Sequence, residues 1–107
     1  MLLQLARTTD PRGFRLVGEM DLSNVSTLSD AIAAEVDAGG DITLDLAGLV
    51  FMDSTGIQVL IETARALEGT GRLILLEPGS LVRRTLERVQ IGRLSNIEIV
   101  ERDDDGG

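Results

Sequence analysis

The chain has 107 residues, enough for one ordinary domain, and its 43% hydrophobic content describes a folded globule rather than a disordered chain. Eighteen acidic against ten basic residues give a net charge of −8, whose field repels nucleic acid and anionic lipid, and two Phe with no Trp or Tyr leave bases little to stack on. With no His and no Cys the chain cannot build a Ser-His-Asp or Cys-His site, a disulfide, or a zinc, haem or iron–sulfur centre of the usual kinds, so the expectation is a non-enzyme without metal or cofactor.

Leu2 to Arg7 reads as a first strand, and Asp10-Pro11-Arg12-Gly13 supplies turn chemistry joining it to a second, Phe14 to Gly18, as an antiparallel hairpin. Leu22-Ser23-Asn24 offers capping side chains before a helix whose Val25, Leu28, Ile32 and Val36 share a face, and Ala38-Gly39-Gly40 ends it. Asp41 to Leu46 then alternates with period two and Leu49 to Met52 is a short apolar run, together a strand entering a core. Ile57, Leu60, Ile61, Ala64 and Leu67 recur at helical spacing, and Gly69-Thr70-Gly71 closes that second helix.

Arg72 to Leu76 is a further buried strand, Pro78-Gly79 turns, and Ser80 is placed to cap a short third helix marked by Val82, Leu86 and Val89. Ile97 to Val100 reads as the last strand and Glu101 to Gly107 as an acidic, solvated tail. After the hairpin every crossover is of βαβ type, so those strands should run parallel with right-handed connections. The expected fold is a small α/β domain with a mixed sheet, one domain over residues 1–107 with a folded core over about 5–100. No apolar run approaches the roughly 18 residues needed to cross a bilayer, and the start of the chain lacks a basic region followed by an apolar stretch, so a cytoplasmic protein without membrane contact is expected.

One turn carries more chemistry than the rest. Phe51-Met52-Asp53-Ser54-Thr55-Gly56 sets an acid and two hydroxyls where a buried strand becomes a helix, at a helix start whose dipole and unpaired N–H groups tolerate a phosphate. Asp, Ser and Thr are also ordinary capping residues. An extra residue between Asp53 and the glycine separates the stretch from the Asp-Thr/Ser-Gly triplet of aspartic proteases, and the glycine spacing of a P-loop or a nucleophile elbow is missing.

Three elements occur together: Arg15-Leu16-Val17-Gly18-Glu19-Met20-Asp21, the strand with Asp45-Leu46 and Leu49, and Phe51-Met52-Asp53-Ser54-Thr55-Gly56. With Gly71-Arg72-Leu73-Ile74-Leu75-Leu76 and Ile91-Gly92-Arg93-Leu94, they make a sequence that resembles the STAS domain, specifically the bacterial anti-sigma factor antagonists, from about Leu5 to Val100. The resemblance implies a protein that, unphosphorylated, binds an anti-sigma factor that is also a serine kinase of the GHKL ATPase type, and so frees a sigma factor. It implies phosphorylation of Ser54 by that kinase, which ends binding, and reversal by a PP2C-type phosphatase. Many relatives read Asp-Ser-Ser-Gly, so Thr55 becomes a minor alternative phosphosite. Alternatives are an accessory STAS subunit of a lipid-transport ABC system and a small-ligand-sensing module.

The expected partner-binding residues are Asp21, Asp53, Ser54, Thr55 and Gly56. Asp53 reads either as the helix N-cap or as the group that orients the Ser54 hydroxyl or meets the kinase. Asp21 is a turn residue or an interface acid, on the same sheet edge as Asp53. Gly56 permits close approach of a partner or simply packs the helix start. Arg83, Arg84, Arg88 and Arg93, late in and after the third helix, complement its dipole and read as solvated.

Overall fold

The structure is a computed structural model and describes residues 2–101. Its elements in chain order are β1 (Gln4–Thr9), β2 (Arg12–Met20), α1 (Val25–Val36), β3 (Ile42–Met52), α2 (Ser54–Leu67), β4 (Leu73–Leu76), α3 (Ser80–Arg88), a 3-10 turn (Ile91–Arg93) and β5 (Ile97–Val100). This is the expected order of hairpin and βαβ units, with β1 shifted two residues along the chain and β2 longer than expected. The acidic tail beyond Glu101 lies outside the described residues.

The five strands lie side by side in chain order, β1 antiparallel to β2 and every later pair parallel. Right-handed crossovers through a sheet in sequential order set their helices on one face. The alternation of β2 agrees, since Phe14, Leu16 and Met20 are buried while Arg15 and Val17 between them are exposed. The buried side chains of all the helices, among them Leu28, Ile32, Leu60, Leu67, Val82 and Leu86, join Leu44, Leu46 and Leu75 of the sheet in one core.

β3 departs from simple alternation. Arg15 pairs with Asp45 and Val17 with Gly48, then Gly18 pairs with Leu49 and Glu19 with Phe51, so β3 carries one extra residue at each of two places. These are bulges, and each advances the phase of the strand by one. Leu46, Leu49 and Met52, three residues apart, therefore all face the core at 2% exposure or less. The Asp45 carboxylate accepts the Ala47 N–H at 3.0 Å, satisfying a donor at the first bulge. The apolar run Leu49 to Met52 is accordingly not all interior: Val50 and Phe51 are exposed.

The two ends of the sheet differ. Where the parallel strands begin, Arg12 of β2 donates to the main-chain oxygens of Glu35, Gly39 and Asp41 and to the Glu35 carboxylate, so one guanidinium ties the end of α1 and the loop after it to the sheet. Asp41 accepts the Arg72 N–H at 2.8 Å, tying the starts of β3 and β4. Two expected caps resolve differently. Asn24 is the N-cap residue of α1, but its side chain turns back to Glu19 O and the Asp21 N–H instead of capping the helix, and Gly79 rather than Ser80 is the N-cap residue of α3.

At Gly13 the neighbouring strand leaves no room for a side chain, for a Cβ built there would stand 1.7 Å from the Thr43 carbonyl oxygen, whereas one on Gly92 meets nothing within 4 Å. Gly13→Ala is expected to destabilise the fold by about 2 kcal/mol or more through this overlap, and Gly92→Ala to stay within about 0.5 kcal/mol. Urea unfolding midpoints of the two variants beside the parent chain check the contrast.

Candidate functional site

At the opposite end, where the parallel strands finish, β3 passes into α2 through Asp53. Asp53 has extended backbone and is the N-cap residue of α2, its Oδ1 accepting the Thr55 N–H at 2.9 Å. The same Oδ1 accepts the Thr55 hydroxyl. That hydroxyl holds the Asp53 carboxyl below the usual range against the opposing effect of its partial burial, and the N–H groups of Thr55, Gly56 and Leu22 add to the lowering. The carboxylate therefore stays ionised at a helix start where negative charge is favoured.

Ser54 is the first residue of α2 and is exposed, and its hydroxyl has no hydrogen-bond partner among the described residues. Thr55 is half-buried with its hydroxyl committed to Asp53. The acid beside Ser54 is thus bonded to the next hydroxyl along.

Asp21 stands on the same edge. The end of β2 meets the start of α2 through the Asp53 N–H, which donates to Met20 O at 3.2 Å. The Asp21 carboxylate accepts the Ser23 N–H and the Ser23 hydroxyl, and its carbonyl accepts the N–H groups of Asn24 and Val25, which makes Asp21 the organiser of the turn into α1. Gly56 is buried, and a Cβ there would stand 2.5 Å from Met52 Cγ and 2.9 Å from Met20 Sδ. The glycine lets the first turn of α2 settle onto the last residues of β2 and β3. Asp21, Asp53, Ser54 and Thr55 are brought together at one surface, and Gly56 lies beneath it.

Sequence reasoning missed the apolar side chains around this edge. Leu22 in the β2–α1 turn is 76% exposed, Val50 and Leu81 are each 51% exposed, and Phe51 is 40% exposed. Val50 and Leu81 line a shallow cavity of about 230 Å³ between the end of β3 and the start of α3. Reading Leu49 to Met52 as a continuous buried run assigned Val50 and Phe51 to the core, because apolar character alone does not reveal the bulge that turns both outward. Among the arginines, Arg83 pairs with Glu101 and Arg93 bonds Gln90. No group of His, Cys, Asp or Glu among the described residues is arranged to hold a metal ion, and no helix among them is long and apolar enough to cross a membrane.

A sequentially ordered sheet, parallel after one hairpin, with an Asp-Ser-Thr-Gly turn opening the helix after its third strand defines a small mixed α/β domain. The chain matches the STAS domain family over residues 3–103 and belongs to it. It is 36% identical, over 73% of its length and 69% of the relative's, to the anti-sigma F factor antagonist of Lysinibacillus sphaericus. Its fold superposes with a TM-score of 0.74 on the unphosphorylated form of the anti-sigma factor antagonist SpoIIAA, at 26% identity over 97% of this chain and 90% of that one. The phosphorylated form of Bacillus SpoIIAA superposes with a TM-score of 0.69 at 25% identity, covering 97% of this chain and 94% of that one.

The Asp53 cap has a pH signature. Its carboxyl is lowered in the folded chain, so its stabilising contribution is complete above the ordinary carboxylate range and is lost as pH falls through the lowered value. Asp53→Ala is expected to cost about 1 kcal/mol at neutral pH, with the gap to the parent chain closing only in strong acid. Urea titrations of both proteins across that range measure it; a gap independent of pH would contradict the ionised cap.

Proposed function

We propose that this protein is an anti-sigma factor antagonist whose binding is switched by phosphorylation of Ser54. The observation that carries the reading is the exposed, unpartnered Ser54 hydroxyl at the first position of α2, in a chain of the STAS family whose relatives bear that name. The unphosphorylated protein binds an anti-sigma factor that is also a serine kinase of the GHKL ATPase type, a sigma factor is released, and a PP2C-type phosphatase restores the serine after modification. The protein works as a ligand for other proteins in the cytoplasm, as a single domain, and is not itself an enzyme.

In this reading the partner covers Asp21, Asp53, Ser54 and Thr55, with Gly56 shaping the floor. Leu22, Val50, Phe51 and Leu81 are exposed apolar side chains of the turns and element ends at this edge of the sheet, available to the same partner, and an apolar surround that excludes water is what makes a central polar contact count. A phosphate on Ser54 adds about −1.5 to −2 charges at neutral pH. The start of α2 accommodates that charge, whereas a partner packed over the same spot loses room and meets a field to which Asp53 and Asp21 already contribute. A penalty of about 3 kcal/mol suffices, since it weakens binding roughly a hundredfold.

With ATP and a cognate anti-sigma kinase, the chain is expected to take phosphate chiefly at Ser54, located by mass spectrometry, and Ser54→Ala is expected to take about a tenth of it or less. Ser54→Asp should bind the anti-sigma factor at least about tenfold more weakly than the parent chain in calorimetry. A phosphate found chiefly elsewhere, or equal affinity of Ser54→Asp and the parent chain, would overturn the reading.

A further inference from the structure

Two hydroxyls stand side by side at the start of α2, and residue type alone does not choose between them. Their surroundings do. Thr55 is held through its N–H and its hydroxyl to one oxygen of Asp53, and a β-branched side chain so held has few other rotamers to visit. The hydroxyl bond runs to an ionised carboxylate, the stronger kind of hydrogen bond. Ser54 is exposed, and its hydroxyl is free of partners among the described residues.

We propose that Asp53 acts as a positioning residue that withholds the Thr55 hydroxyl and thereby leaves Ser54 the sole phosphate acceptor of the pair. The proposal rests on reading Ser54 as the phosphorylated residue. In the transfer, Ser54 Oγ bonds to the γ-phosphorus of ATP, and the bond from that phosphorus to the β–γ bridging oxygen breaks. ADP departs with the electron pair, and the serine proton passes to a base of the kinase. For Thr55 to react instead, its hydroxyl must first leave Asp53 and swing outward. A carboxylate touching a hydroxyl can also activate it as a general base, but that duty calls for an acid of raised proton affinity, and Asp53 is shifted the other way. A hydrogen bond to a charged group corresponds to about a ten- to hundredfold bias against the bonded hydroxyl.

The test compares phosphate location in four full-length proteins, incubated with ATP and an anti-sigma kinase that binds the parent chain. The parent chain should carry phosphate on Ser54, with Thr55 modified at least about tenfold more slowly, and Ser54→Ala should remain nearly unmodified. Asp53→Ala, at saturating kinase, should carry phosphate on both hydroxyls, the ratio of Thr55 to Ser54 phosphate rising by about tenfold or more over the parent chain. The double variant Asp53→Ala, Ser54→Ala should gain phosphate on Thr55 by about tenfold or more over Ser54→Ala. Rapid Thr55 modification in Ser54→Ala, no gain in the double variant at saturating kinase, or an unchanged ratio of Thr55 to Ser54 phosphate in Asp53→Ala overturns the proposal; the ratio is the readout because Asp53 also lies in the surface the partner covers, and weaker kinase binding lowers both phosphates alike. A kinase-free arm stands beside these: NMR of the parent chain should find one Thr55 χ1 rotamer and a slowly exchanging Thr55 hydroxyl proton, and rotamer averaging there refutes the lock. Failure of the kinase to modify the parent chain at Ser54, with the lock intact by NMR, would instead strike at the reading of Ser54 itself.

Discussion

Parallel strands in sequential order constrain everything else in this molecule. Each strand from β2 to β5 must return through a crossover before running in the same direction again, so every strand-to-helix turn falls at one edge of the sheet and every helix-to-strand turn at the other. The two edges have separate duties. At the edge where strands begin, Arg12 and Asp41 stitch loop carbonyls and N–H groups to the sheet, and those contacts explain stability alone. At the other edge Asp21, Asp53 and Ser54 converge although they come from different turns, because the topology delivers them there.

The candidate site is built with little strain of its own. Asp53 is in ordinary extended backbone, Ser54 begins an ordinary helix, and the close packing lies one layer below, where Gly56 meets the side chains of Met20 and Met52. Chemistry and packing are thus divided between adjacent residues: the serine faces solvent and the glycine two positions on faces the core. Such a division lets a surface group change charge while the helix beneath it keeps its seat.

Much of this was legible in the sequence, for identifiable reasons. The helical spacing of Ile57, Leu60, Ala64 and Leu67 and the glycines after Leu67 defined α2, and Asp53 read correctly as its cap because N-cap chemistry is local. Strand order and the β3 bulges were not legible, since both depend on which backbone lies alongside, and Val50 and Phe51 were misassigned to the interior for that reason. Asn24 looked like a cap and instead bonds backward to the end of β2, a choice set by tertiary position. The chemistry of the two hydroxyls is alike, so in the sequence only the family resemblance ranked Ser54 above Thr55, and the physical distinction lies in exposure and in the Asp53 hydrogen bond.

The bulges in β3 bear on how such a chain tolerates insertions and deletions. Between Asp45 and Met52 this strand takes seven steps while its partner, from Arg15 to Met20, takes five, and the surplus returns Met52 to the same face as Met20. Removing the extra residue at either bulge would leave ordinary one-to-one pairing there, so Met52 would stay opposite Met20 and the start of α2 would keep its side of the sheet. Removing a residue from the regularly paired stretch from Ile42 to Asp45 has no such outlet and slips the register. Tolerance of reading-frame-preserving deletions is therefore concentrated at the two bulges of this strand, independently of which amino acids fill them.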